Sequence, residues 1–143
     1  MSRLLVPIQE GEDSSAVIAQ VIELAKQQPI SVYLLNVRTP LPSYVARFIP
    51  ATEREAFHHE NGMRAMQTAI AKLDEAGIAH REEVRVGNKA ETILEVAREK
   101  HCAEIVVDGH GGGLLGGLGL GSICGQLRHL LQPNDSLRIR EAA

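Results

Sequence analysis

Two short apolar runs, Leu4 to Ile8 and Ile30 to Val37, stand out at the start of the chain. Each is strand length, rich in Val, Ile and Leu, and does not alternate, which is how a parallel strand buried on both faces reads. Between them Val17, Val21, Leu24 and Ala25 recur at helical spacing, with Asp13 and Ser14 placed to cap the free amides. Strand, helix, strand at this length predicts a right-handed crossover. The prolines at 40, 42 and 50 mark a loop over 38–50. A long helix is expected from about Thr52 to Ala76, with Met66, Ala69, Ile70 and Leu73 on one stripe. Gly62 interrupts it at a propensity cost of about 1 kcal/mol relative to Ala, which predicts a kink or a frayed first half. Gly77 closes it as a C-cap.

His80 to Val86 alternates among charged residues, the pattern of an edge strand. Asn88 and Glu91 have capping-box spacing ahead of a third helix bearing Ala90, Ile93, Leu94 and Ala97. Ile105-Val106-Val107 is another buried strand, ending at Asp108. A glycine-rich segment follows, then a helix from about Gly121 to Leu131 and a weak last strand around Leu137 and Ile139. The order β-α-β-α-β-α-β-α-β defines a doubly wound α/β fold, one domain over residues 1–143.

Composition narrows the partners. Hydrophobic residues make up 44% of the 143, enough for a core without staples, but aromatics are only 3% and Trp is absent. The aromatic platforms of single-stranded nucleic-acid binders are therefore missing. Fifteen Lys and Arg against 18 Asp and Glu give a net charge of −3, which argues against a nucleic-acid partner. Cys102 and Cys124 are too few for a disulfide framework and lack zinc spacing, so a reducing compartment is expected. With no signal-peptide pattern and no apolar run of bilayer length, the expected location is the cytoplasm, with no membrane partner.

Candidate chemistry concentrates in one place. Eight of the 13 glycines fall between Gly109 and Gly121, after a buried strand and before a helix. At that position glycines let backbone amides approach a ligand, and the helix start at Gly121-Ser122 adds free N–H groups that favour phosphate. Gly111-x-Gly113-x-x-Gly116 matches a dinucleotide fingerprint, but too few strands follow for a Rossmann fold of that kind. A Walker loop is excluded because no lysine occurs beyond Lys100. Phosphate binding would rest on amides, Ser122 and His110; the alternative is a surface loop without a ligand.

The chain resembles the universal stress protein family over essentially its whole length. The first-strand pattern is met by Leu4-Leu5-Val6-Pro7-Ile8-Gln9 and the second by Leu35-Asn36-Val37. The nucleotide motif, Gly-x2-Gly-x9-Gly-Ser/Thr, is met by Gly111, Gly121 and Ser122, with Leu127-Arg128-His129 beyond. The resemblance implies a Rossmann-like three-layer sandwich of the adenine nucleotide alpha hydrolase type with a five-stranded parallel sheet. It also implies a homodimer paired through the last strand and ATP or AMP binding in one branch, with Mg2+ as an optional companion. Pro7, Ile8 and Gln9 would lie beside the adenosine, Val37 backbone at the adenine, and His110, Gly111, Gly121, Ser122 and Ile123 at the phosphates. The other branch implies a dimer that binds no nucleotide and acts through protein contacts.

Three positions depart from the pattern. Gln9 stands where nucleotide-binding members carry Asp, Asp108 where the motif's first Gly is expected, and the last strand, Ser136 to Arg140, carries arginines. A carboxylate at Asp108 repels phosphate but can serve a ribose hydroxyl, as though the acid had moved from position 9. Other candidates are set aside. His58-His59 and His101-Cys102 are adjacent pairs that cannot share a metal from one helix face. Ser122, His110 and Asp108 lack a nucleophile elbow, so no catalytic triad is expected. Met63 and Met66 read as core or dimer-face fillers, and Glu82-Glu83 as a solvated pair. With no residue placed to activate water, any ATP hydrolysis would be slow.

Overall fold

The computed structural model describes residues 1–108 and 123–142. Strand β1 (Ser2–Pro7) passes through α1 (Ser15–Gln27) to β2 (Ile30–Arg38). A short α2 (Ser43–Ala46) and a long α3 (Ala51–Glu75) lead to β3 (His80–Val86), followed by α4 (Lys89–Glu99) and β4 (Glu104–Asp108). Helix α5 (Ile123–Leu130) and β5 (Arg138–Ala142) complete the chain. All five strands are parallel, in the order β3-β2-β1-β4-β5. This is the doubly wound sandwich expected from the alternation of apolar runs and helical stripes.

The pleat sorts the core into two layers. Leu4 and Val6 of β1, with Val32 and Leu34 of β2, face α1 and α3, meeting Ile18, Val21, Met66 and Leu73. Leu5, Leu35, Ile105 and Val107 face the other way onto Ile93, Leu94 and Ala97 of α4 and Leu127 of α5. Consecutive residues of β1 thus enter opposite cores, which is why that run must be apolar without alternation.

Local signals set most boundaries. Asn88 Oδ1 accepts from Glu91 N at 3.1 Å and caps α4. Helix α1 is capped from one residue further out than Ser14, because Asp13 Oδ1 accepts from Ser15 N at 2.9 Å. Helices α3 and α4 end alike. Ile78 N donates to Leu73 O and Gly77 N to Asp74 O; Cys102 N donates to Ala97 O and His101 N to Arg98 O. Gly77 supplies the required positive φ of 70°, and His101 adopts 55° in the same role. The segment read as a loop over 38–50 contains α2, and α3 begins one residue earlier than expected. Pro42 and Pro50, at φ near −55° and −54°, sit directly before these helices, where a fixed φ assists initiation. The last strand runs two residues further than the sequence indicated, its Arg140 paired with Glu104 of β4 at 2.8 and 3.1 Å.

Gly62 does not break α3, which is helical from Ala51 to Glu75. It lets the helix lie against β3: a Cβ built there would meet the Val84 methyls at 2.5 and 2.6 Å. On the same edge, Glu82 and Glu83 are half-buried and paired. Glu83 lies 3.3 Å from Arg85 and 3.8 Å from Lys100, while Arg85 donates twice to Glu99 of α4 at 3.0 Å. Glu82 contacts His80, whose other ring nitrogen meets Asp74 at the end of α3. Burial opposes charge on His80, but the two carboxylates outweigh it and hold its pKa above the ordinary histidine value.

Two outcomes are expected. Gly62→Ala gains helix propensity of about 1 kcal/mol but forces a shift against the stiff Val84, and overpacking of this kind costs about 1–3 kcal/mol. It should lower the urea midpoint, and a Gly62→Ala/Val84→Ala double variant should recover more than the two single effects add up to; simple additivity would refute the contact. For His80 the folded pKa lies above the unfolded one, so its contribution is fully present below the unfolded value and is lost as pH rises through the folded value. The stability gap between the wild type and His80→Gln should therefore shrink as pH rises above about 6.5, the unfolded histidine value.

Candidate functional site

The chain builds β1, β2 and β3 outward to one side, then crosses back to add β4 and β5 on the other. The strand order reverses between β1 and β4, and in open α/β sheets ligands bind beyond the carboxyl ends at that switch point. Pro7 ends β1, with Ile8 and Gln9 directly after it. Val37 is the next-to-last residue of β2, Asp108 ends β4, and Ile123 is the first residue of α5. The fold therefore brings six of the sequence-derived candidates to one edge of the sheet. His110, Gly111, Gly121 and Ser122 lie outside the described residues.

Not every candidate offers a side chain there. Ile8 is 3% exposed and packs into the α1–α3 core, and its backbone N donates to Leu35 O at 2.8 Å. Val37 is buried in the opposite core. These two can shape the crevice, whereas polar recognition must come from neighbours.

The neighbour that sequence reasoning passed over is Asn36. It is 1% exposed, and its Nδ2 donates to Ile8 O at 2.8 Å, fastening the end of β2 to the end of β1. Because that carbonyl needs a donor, Oδ1 is the atom left over, and it is buried without a partner. Gln9 Nε2 and Arg38 Nε are buried and unpartnered as well. Gln9, Asn36 and Arg38 line a single cavity of about 220 Å³ with Glu10, Val37 and Thr39. Arg38 Nη1 donates to Glu10 Oε2 at 2.9 Å, a pair whose acid is largely exposed. Buried polar atoms are normally satisfied, so three residues that each keep an unpartnered polar atom while lining one cavity mark this end of the sheet as a candidate for a polar ligand. A signal existed in the sequence: a polar Asn inside an otherwise apolar strand.

Asp108 pairs in register with Ala142 of β5 and ends β4, the strand next to β1, at the carboxyl edge of the sheet. At the start of α5, Cys124 Sγ donates to Glu141 Oε1 at 2.8 Å, with Arg128 Nη2 on the same oxygen at 3.3 Å. Burial and the adjacent carboxylate raise the Cys124 pKa, and burial pushes that of Cys102 up to about 11, so both are thiols rather than nucleophilic thiolates at neutral pH. Among the described residues no three His, Cys, Asp or Glu side chains converge as a metal site, and no helix is long and apolar enough to cross a membrane.

The chain is a doubly wound α/β domain with a polar cavity at the carboxyl ends of β1 and β2. The sequence model of the Universal stress protein family matches residues 1–131, and the chain belongs to that family. A search of curated proteins gives no match. Among solved structures, the hypothetical protein MJ0577 superimposes with a TM-score of 0.74 at 20% identity, covering 99% of this chain and 96% of that one. A universal stress protein in complex with cAMP gives 0.66 at 16% identity, covering 99% and 98%. The universal stress protein from Archaeoglobus fulgidus in complex with dAMP gives 0.61 at 16%, covering 97% of each chain. At these identities the likeness establishes the fold.

The Asn36 contact can be checked directly. Asn36→Ala removes the donor from the Ile8 carbonyl and should cost about 1–3 kcal/mol, the range for a buried group stripped of its partner. Urea unfolding measures it, and an unchanged midpoint would show that the two strand ends do not depend on the bond.

Proposed function

We propose that this protein binds an adenine nucleotide, ATP or AMP, beyond the carboxyl ends of β1, β2 and β4. Through its occupancy it would act as a regulatory homodimer in the response to stress. The observation that carries this reading is that Gln9, Arg38 and Asn36, each with a buried polar atom lacking a partner, line one cavity at the ends of β1 and β2. An adenine edge presents ring nitrogens that accept and an exocyclic amine that donates, groups that polar side chains such as Gln9 and Asn36 can pair. The cavity lies at the carboxyl ends of β1 and β2, next to the switch point between β1 and β4, and the related structures with cAMP and dAMP bound share the fold. The phosphates would sit on the amides of the glycine-rich segment and on Ser122, with Mg2+ accompanying a triphosphate. Asp108, at the end of β4, would accept from a ribose hydroxyl in place of the acid that Gln9 lacks. The free edge of β5 offers the sheet's second exposed strand for pairing with another copy.

Denaturing the purified protein should release ATP or AMP, detectable by chromatography of the supernatant, and the stripped protein should rebind it. Asp108→Asn should weaken adenosine and AMP binding if the carboxylate holds the ribose; tighter ATP binding instead would identify it as a repulsive charge. Absence of released nucleotide together with no binding at millimolar ATP would overturn the proposal and favour the branch that acts through protein contacts.

A further inference from the structure

A second, larger cavity lies beside the crevice and takes no part in the nucleotide reading. It has a volume of about 510 Å³, within the range of small-molecule pockets, between the α2–α3 connection and the edge strand β3. Its apolar wall includes Leu41, Ala46, Val84 and Val86, and its polar lining is Arg54, Glu55, His58 and His59. His58 is 7% exposed, its Nδ1 has no partner, and the Phe57 ring packs edge-on against it at 5.5 Å.

The charge around this imidazole is cationic. Burial, then Arg38, then Arg54 lower its pKa, so it is neutral and sits in a positive field. Arg38 is answered by Glu10. Arg54 has no ion pair among the described residues: its Nη1 donates to the carbonyls of Ala46 and Ile49, which leaves Nη2 and Nε as donors. Glu55 is the acid in the lining and is exposed. A purely polar solute would leave the apolar wall unmatched, and a cation would face Arg54.

We infer that this cavity is a binding site for a small amphiphilic carboxylate, whose apolar body lies along Leu41, Ala46, Val84 and Val86 and whose carboxylate pairs with Arg54 beside His58. Bound there, the anion accepts from the guanidinium and offsets the positive field at the imidazole. The inference does not depend on nucleotide binding, since the residues lining this cavity are not those lining the crevice.

Octanoate serves as the probe, with octanol and octylamine as matched neutral and cationic controls. Calorimetric titration of the full chain, stripped of any nucleotide, should show saturable octanoate binding at or below about 1 mM. Octanol should bind at least about tenfold more weakly, a difference of about 1.4 kcal/mol, and octylamine not measurably. The His58 Cε1–H resonance should shift on binding and titrate at higher pH in the complex. Glu55→Gln, an exposed change, should tighten octanoate several-fold, and Val86→Glu should weaken it, while Arg54→Gln should abolish the preference over octanol. Equal affinity for octanoate and octanol, an unmoved His58 resonance, or indifference to both Glu55→Gln and Val86→Glu would overturn the inference. Parallel ATP titrations of the same variants keep it separate: retained ATP binding with no octanoate binding defeats this site alone, and the reverse defeats only the nucleotide reading.

Discussion

Everything in this molecule is arranged around the burial of β1. Leu4, Leu5 and Val6 are excluded from solvent, each on the face opposite its neighbour, and the strand is hydrogen-bonded on both sides by β2 and β4. A strand so enclosed needs helices on both faces, which the chain supplies by placing α1 and α3 on one side and α4 and α5 on the other. The change of side requires the reversal of strand order beside β1, and the reversal opens the crevice. The position of the candidate site is thus a by-product of how the core is closed.

The layered architecture was legible because it rests on periodicities that packing reinforces. Uninterrupted apolar runs became the two-faced strands, and His80 to Val86 became an edge because alternating charge cannot be buried twice. Misreadings arose where a residue's local preference and its tertiary role diverge. Gly62 lowers helix propensity yet is needed where α3 meets Val84, and only the three-dimensional contact reveals that. Prolines 42 and 50 punctuate a loop and also start helices, a distinction that depends on what the following residues can bury. Glu82 and Glu83 read as solvated because strand alternation alone does not show that His80 and Arg85, two residues away, and Lys100 of the α4–β4 turn converge on them.

The site was legible in outline and less so in detail, for a similar reason. Strand ends and a glycine-rich connection advertise themselves, so Pro7, Ile8, Gln9, Val37 and Asp108 could be named in advance. Their division of labour could not. Ile8 and Val37 put their side chains into the core, while Asn36 holds two strand ends together and still keeps an acceptor in reserve. Unsatisfied polar atoms are local departures from the rules that stabilise a fold, and here they gather where the core ends. His58 belongs to the same category, since one histidine of an adjacent pair gives no sequence sign that it is buried in a cationic field.

The bare backbone of Gly62 also bears on how this protein can move. Sliding α3 along the sheet by one turn would bring His58 or Met66 to the place where only a hydrogen fits against Val84. Interfaces packed this closely are held in one register rather than deformed gradually. Shear between the long helix and the sheet is therefore closed to this molecule, and any conformational response to a ligand must be carried by the connections at the strand ends, above a rigid floor.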